Sequence, residues 1–245
     1  MKKLACLFVW VLLPVTAFAE GEAGMLKASV NLNNTASLQR GAKYFVNYCM
    51  GCHSAQYVRY NRVGDDLGLN DAQLENYLMP AGAKTSDTMV SALAPADGEK
   101  WFGRAPPDLS LEARSRGADW IYSYLKSFYV DPKSPTGANN LMLPNAAMPD
   151  VVWELQGMQQ PVFRTEKSES GSSIQAFDHF EQVSQGKLTS KQYDQVAMDL
   201  TNFLSYIAEP VQLERRDLGL KVMGFLIVFF LFAFMLKREV WKKVH

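Results

Sequence analysis

The chemistry open to this chain is concentrated in five consecutive residues, Cys49-Met50-Gly51-Cys52-His53. Two thiols separated by two residues can add to the two vinyl groups of a haem, and the imidazole directly after the second thiol then reaches the iron from one face. This is the pattern of covalent haem c attachment. A chance match in a chain of 245 residues is on the order of one in two thousand, so the motif carries the reading. Other uses of the same residues fit less well. A redox-active dithiol belongs in a βαβ setting, whereas the flanks here have helical spacing. A structural zinc site needs four ligands, and besides Cys49 and Cys52 the chain offers Cys6, inside an export signal, and His53, His179 and His245. A plain disulfide between Cys49 and Cys52 leaves His53 without a purpose.

An iron held by one imidazole is reactive if its other face is open, and devoted to electron transfer if a second ligand closes it. That ligand must come from a methionine or histidine on an irregular stretch well after the motif, because the chain has to round the haem edge. Met148 fits best. It follows a loop dense in turn residues, including Asp131-Pro132, Gly137, Asn139-Asn140 and Pro144-Asn145, and Pro149 fixes the backbone behind it. Met142 is the nearer rival, Met79 also precedes a proline but follows His53 by only 26 residues, and His179 stays open.

Helices must hold these groups in place. Ser37–Tyr48 has helical spacing of Leu38, Phe45 and Val46, and Gly41 is small enough for a second helix to cross closely. Thr189 and Gln192 form a capping-box pattern ahead of Tyr193, Val196, Leu200, Phe203, Leu204 and Ile207, which recur at helical spacing until Pro210. These two helices are expected to cross, with Ala118–Val130 as a third. Long irregular stretches lie between them, and Glu166–Gly171 reads as a mobile polar surface loop. The expected fold is mainly α: a class I cytochrome c-like haem domain with long loops, plus one C-terminal transmembrane helix.

Both ends carry membrane signals. Lys2 and Lys3, an apolar run from Leu4 to Val15, and Ala17-Phe18-Ala19 have the form of a cleaved signal peptide over residues 1–19. Residues 218–236 contain one charge, Lys221, and at 1.5 Å per residue they cover about 28 Å, close to the hydrocarbon thickness. Export then sets the orientation: residues 20–217 outside as the haem domain, and residues 237–245 as a short cytoplasmic tail. The whole chain balances 25 basic against 25 acidic side chains, which argues against nucleic acid as a partner. The balance is uneven, since residues 20–217 hold 18 basic and 24 acidic side chains, a surface suited to basic partners.

In order along the chain stand Gln39-Arg40-Gly41 before the Cys49–His53 motif, Tyr57-Val58 after it, Pro106-Pro107-Asp108-Leu109-Ser110, Ala113-Arg114-Ser115-Arg116 before Asp119-Trp120, Asn145-Ala146-Ala147-Met148-Pro149, and Gln195 through Pro210 to Gly219-Leu220-Lys221. With these pieces the chain resembles cytochrome c1 of the ubiquinol:cytochrome c oxidoreductase (bc1) complex, bacterial type, over nearly its whole length. The resemblance implies one covalent haem c whose iron is ligated by His53 and Met148, with Arg114 or Arg116 pairing with a haem propionate. It implies partners as well: cytochrome b, a Rieske iron–sulfur protein as electron donor, a soluble basic cytochrome c as acceptor, and membrane lipid, within a dimeric complex. The expected location is the bacterial inner membrane, single-pass, with the haem domain on the periplasmic side. Such a chain is non-catalytic by itself, an enzyme only as part of its complex. The alternatives are a c-type cytochrome subunit of a terminal oxidase, or a haem peroxidase or sensor with an open iron site.

Overall fold

A computed structural model describes residues 25–167 and 173–242. The expected signal segment and the last three residues of the tail lie outside the described residues. In chain order the elements are α1 (Thr35–Tyr44), a single π-helical turn (Phe45–Cys49), β1 (Ala55–Arg59), α2 (Tyr60–Leu67), α3 (Asp71–Tyr77), β2 (Thr88–Met89), α4 (Pro95–Phe102) and α5 (Glu112–Ser115). They are followed by α6 (Ala118–Lys126), β3 (Phe128–Val130), β4 (Ala138–Asn140), α7 (Trp153–Gln156), β5 (Gly157–Lys167), β6 (Ser173–Gln185), α8 (Ser190–Ala208) and α9 (Gln212–Trp241).

The core forms where α1 and α8 cross. Leu38, Ala42 and Phe45 from one side meet Val196, Leu200 and Phe203 from the other, and the Phe45 and Phe203 rings lie 5.5 Å apart. Gly41 sits at the crossing point, where a Cβ would stand 2.1 Å from the Asp199 carbonyl oxygen. Beside it the buried Asp199 carboxylate receives two bonds from Arg40, at 2.7 and 2.9 Å, and further bonds from Ser37 (2.6 Å) and Gln195 (2.8 Å). A carboxylate so enclosed is tolerable because its oxygens are satisfied by a cation and neutral donors. The capping box of Thr189 and Gln192 starts α8 as the sequence predicts.

Two expectations need correction. The third helix stops at Lys126, and Phe128–Val130 instead pairs antiparallel with Ala138–Asn140. The Phe-Tyr-Val run favours a strand, and the buried Asn140 accepts from the Ser127 hydroxyl (2.9 Å) and donates to the Tyr124 carbonyl (2.9 Å), drawing the chain out of the helix. Of the polar stretch read as a loop, Glu166 and Lys167 belong to β5, which pairs antiparallel with β6 along a long hairpin ladder, and residues 168–171 lie outside the described residues. Gly157 opens that hairpin at φ 85°, where a Cβ would meet the Ser184 carbonyl at 2.3 Å. Beyond Pro210, α9 runs for 30 residues, long and apolar enough to cross a membrane, and no part of its apolar stretch packs into the head.

Candidate haem site

The π-helical turn fixes the first half of the site. The Met50 N–H reaches the Phe45 carbonyl at 2.9 Å, five residues back, and the wider turn directs Cys49 inward. The N–H groups of Cys52 and His53 then both donate to the Cys49 carbonyl, at 3.0 and 2.8 Å, which folds the motif into one compact turn. Both thiols are free, so the disulfide alternative is not realised. Burial pushes the Cys49 thiol up to about 12, so it stays protonated at neutral pH.

The His53 imidazole is oriented from the second strip of sequence, Pro106–Ser110. Its Nδ1 lies 2.7 Å from the Pro107 carbonyl oxygen, which can only accept, so Nδ1 carries the proton and Nε2 presents a lone pair. Burial lowers the imidazole pKa, the Pro107 bond works against that, and the neutral form prevails. The strip is held against the motif by the Leu109 N–H on the Ser54 carbonyl (2.7 Å) and by the Gln56 and Tyr57 N–H groups on Asp108 (2.8 Å) and Ser110 (3.1 Å).

Met148 stands in the same cleft as Cys52 and His53, with Tyr48, Phe102 and Val151 among its apolar lining. Two asparagines shape the loop that brings it there. The Asn139 carbonyl Oδ1 accepts from the N–H groups of Asn140 and Asn145, each at 2.8 Å, and Asn145 adopts the left-handed conformation at φ 61°. The Tyr124 hydroxyl donates to the Met148 sulfur at 3.4 Å. Burial raises the nearby Asp150 carboxyl to about 6. The rivals lie elsewhere: Met142 and His179 line a different cleft beneath the hairpin, and Met79 packs against the core.

The two arginines separate. Arg116 pairs with Glu112 at 3.0 Å and lies 4.3 Å above the Trp120 ring, which stacks on Tyr124, so it is linked to the Met148 wall. Arg114 lies in a groove at the base of α9 instead. Neither lines the His53–Met148 cleft, whereas Arg104, which sequence reasoning missed, does. Its position next to Ala105-Pro106-Pro107 was the available signal. Free thiols at the attachment spacing, an imidazole with one nitrogen tied back, a thioether in the same cleft and an apolar lining together fit a haem c. Among the described residues no cluster of three or more His, Cys, Asp or Glu side chains could hold a metal ion, so the zinc alternative has no site there.

Comparison with known proteins agrees with this chemistry. The sequence model of the Cytochrome C1 family matches residues 26–244. The chain is 44% identical to a cytochrome c1 of Allochromatium vinosum and 38% identical to a protein of Nitrosomonas europaea named ammonia monooxygenase gamma subunit, in both cases over 100% of each chain. It is also 28% identical, over 85% of its own length and 33% of the relative's, to a cytochrome b/c1 of Bradyrhizobium diazoefficiens.

Proposed function

The chain belongs to the cytochrome c1 family, and from that premise we propose that it takes single electrons from a Rieske iron–sulfur protein and passes them to a soluble basic cytochrome c. It is a membrane-anchored haem c subunit of a bc1 complex, working alongside cytochrome b. Haem c, when bound, supplies a one-electron couple. In the proposed assignment Cys49 and Cys52 would hold it through thioethers, the His53 Nε2 and the Met148 sulfur would ligate its iron, and the apolar walls would keep water from it. Methionine ligation and an apolar surround both favour the reduced state, and hence a high potential. Of the two arginines eligible for a propionate, Arg116 is favoured by its stack on Trp120 beside the Met148 wall, Arg114 lies farther off in the groove at the base of α9, and Arg104, which lines the cleft itself, is a third candidate. The remaining parts of the proposal rest on the export-type N-terminus and the family resemblance: a signal peptide over residues 1–19, the haem domain on the periplasmic side of the bacterial inner membrane, and a dimeric complex.

The observation that carries this reading is the shared cleft of His53 and Met148, with the His53 Nδ1 occupied by Pro107. A peroxidase or gas sensor needs an open iron position, and a Met148 thioether in the same cleft as His53 argues against one. The test is a reduced-minus-oxidised spectrum of the membrane-purified complex with and without carbon monoxide. A c-type band that carbon monoxide does not shift, copurifying with cytochrome b and an iron–sulfur protein, is expected. A carbon-monoxide shift, or copurification with a terminal oxidase, overturns the assignment.

A further inference from the structure

Where the head meets its anchor, a groove runs between Val30–Asn33, the short helix α5, the end of α8 and the first turn of α9. Two arginines line it, Arg114 and Arg216, and among the described residues neither makes an ion pair. Arg40, Arg62, Arg116 and Arg164 each contact a carboxylate, whereas Arg59, Arg104 and Arg238 make no ion pair among the described residues, so what distinguishes Arg114 and Arg216 is that they converge on one groove. The groove's own carboxylate, Glu209, is taken by Arg215, at 2.6 and 3.1 Å. Its other polar groups include the neutral amides of Asn31, Asn33 and Gln212. Glu214 and Asp217 stand on the same stretch of α9 but do not line the groove. The result is a concave surface with two uncompensated guanidiniums and amide donors.

Depth identifies the anion. The apolar run of α9 begins at Leu218. Arg216 precedes it by about 3 Å of helix rise and Gln212 by about 9 Å. The headgroup layer on each side of a bilayer is about 5–8 Å thick. The groove therefore lies at the level of lipid phosphates, not in bulk water. A phosphodiester offers two non-bridging oxygens, the geometry a guanidinium fork meets in bidentate fashion.

We propose that this groove holds the headgroup of an anionic phospholipid, its phosphate between Arg114 and Arg216 and its glycerol hydroxyls toward the asparagine and glutamine amides. The site concerns how the subunit sits in the membrane and is independent of the haem ligands. The test uses the intact complex, delipidated in detergent and then exposed to micelles doped with phosphatidylglycerol, to micelles doped with phosphatidylcholine, or to inorganic phosphate, with retained molecules counted by native mass spectrometry. One phosphatidylglycerol per chain should be retained, and neither phosphatidylcholine nor inorganic phosphate. The double variant R114Q/R216Q should weaken retention about 25-fold, at about fivefold per basic residue near an anionic surface. R114K/R216K, which keeps the charge and loses the fork, should fall between. Arg238→Gln, at the other end of α9, should have no effect, and the haem spectrum of every variant should be unchanged, which shows the head is folded. Equal retention of phosphate, an equal loss with Arg238→Gln, or crosslinking of the Arg114→Cys variant to a neighbouring subunit in place of lipid overturns the proposal.

Discussion

At the scale of single residues, the assignment turns on Met148 and the hydroxyl beside it. Met148→Leu keeps volume and apolar character, so the head should fold, while the thioether is lost. The midpoint potential should fall by on the order of 100 mV or more, since axial ligand identity moves haem potentials across about 0.8 V. Potentiometry of the purified complex checks this. An unchanged potential and low-spin spectrum in Met148→Leu, with loss of both in Met142→Leu, would assign the ligand to Met142. Tyr124 provides a finer test. Its hydroxyl donates to the Met148 sulfur and so draws on the electron density a ferric iron would use. Tyr124→Phe should lower the potential by about 20–40 mV, the equivalent of the roughly 0.5–1 kcal/mol of one hydrogen bond at about 59 mV per tenfold for one electron. The Cys49–His53 motif was legible because its chemistry is written in adjacent residues. Arg104 and Tyr124 were not, because their relevance depends on a cleft whose walls lie far apart in sequence.

At the scale of elements, the α1–α8 crossing is the most exposed to substitution. Gly41→Ala places a methyl against the Asp199 backbone oxygen, where neither helix can yield without disturbing the Arg40–Asp199 bonds. A loss of about 1–3 kcal/mol or more is expected, read as a lowered thermal midpoint of the holoprotein. A variant as stable as the parent would mean the two helices are free to separate. Both helices were legible from their apolar spacing, and the capping box marked the start of α8 to the residue. The hairpin was hidden for physical reasons. Pro161 interrupts β5, two register shifts break its alternation, and its aromatic residues contact one another, Phe163 with Phe177 across the ladder and Phe177 with Phe180 along β6, rather than entering the core. The end of α6 was overrun because Phe128–Val130 continues an apolar pattern that only the pairing with β4 diverts.

At the scale of the whole molecule, charge and anchorage divide the chain. The excess of acidic side chains over residues 20–217 should accelerate encounter with a basic acceptor. The second-order rate of electron transfer to a basic cytochrome c should therefore fall steeply between about 0.01 and 0.15 M salt, over which the screening length shrinks from about 30 to about 8 Å. Stopped-flow mixing across that range checks it, and a rate indifferent to salt removes electrostatic steering. This asymmetry could be counted from the sequence. The groove at the base of α9 could not, since it is assembled from four segments that only the fold brings together.

The anchor is one uninterrupted helix from Gln212 to Trp241, joined to the head with only a short break at Pro210. A helix is a screw, so height above the bilayer and compass bearing are geared to each other: each added residue lifts the head about 1.5 Å and swings it about 100°. One residue inserted between Asp217 and Leu218 would turn the haem cleft away from any neighbour fixed in the membrane, while seven would return its bearing to within about 20° at the expense of some 10 Å of height. Complex assembly should follow the bearing and not the length, with the seven-residue insertion assembling better than the single one.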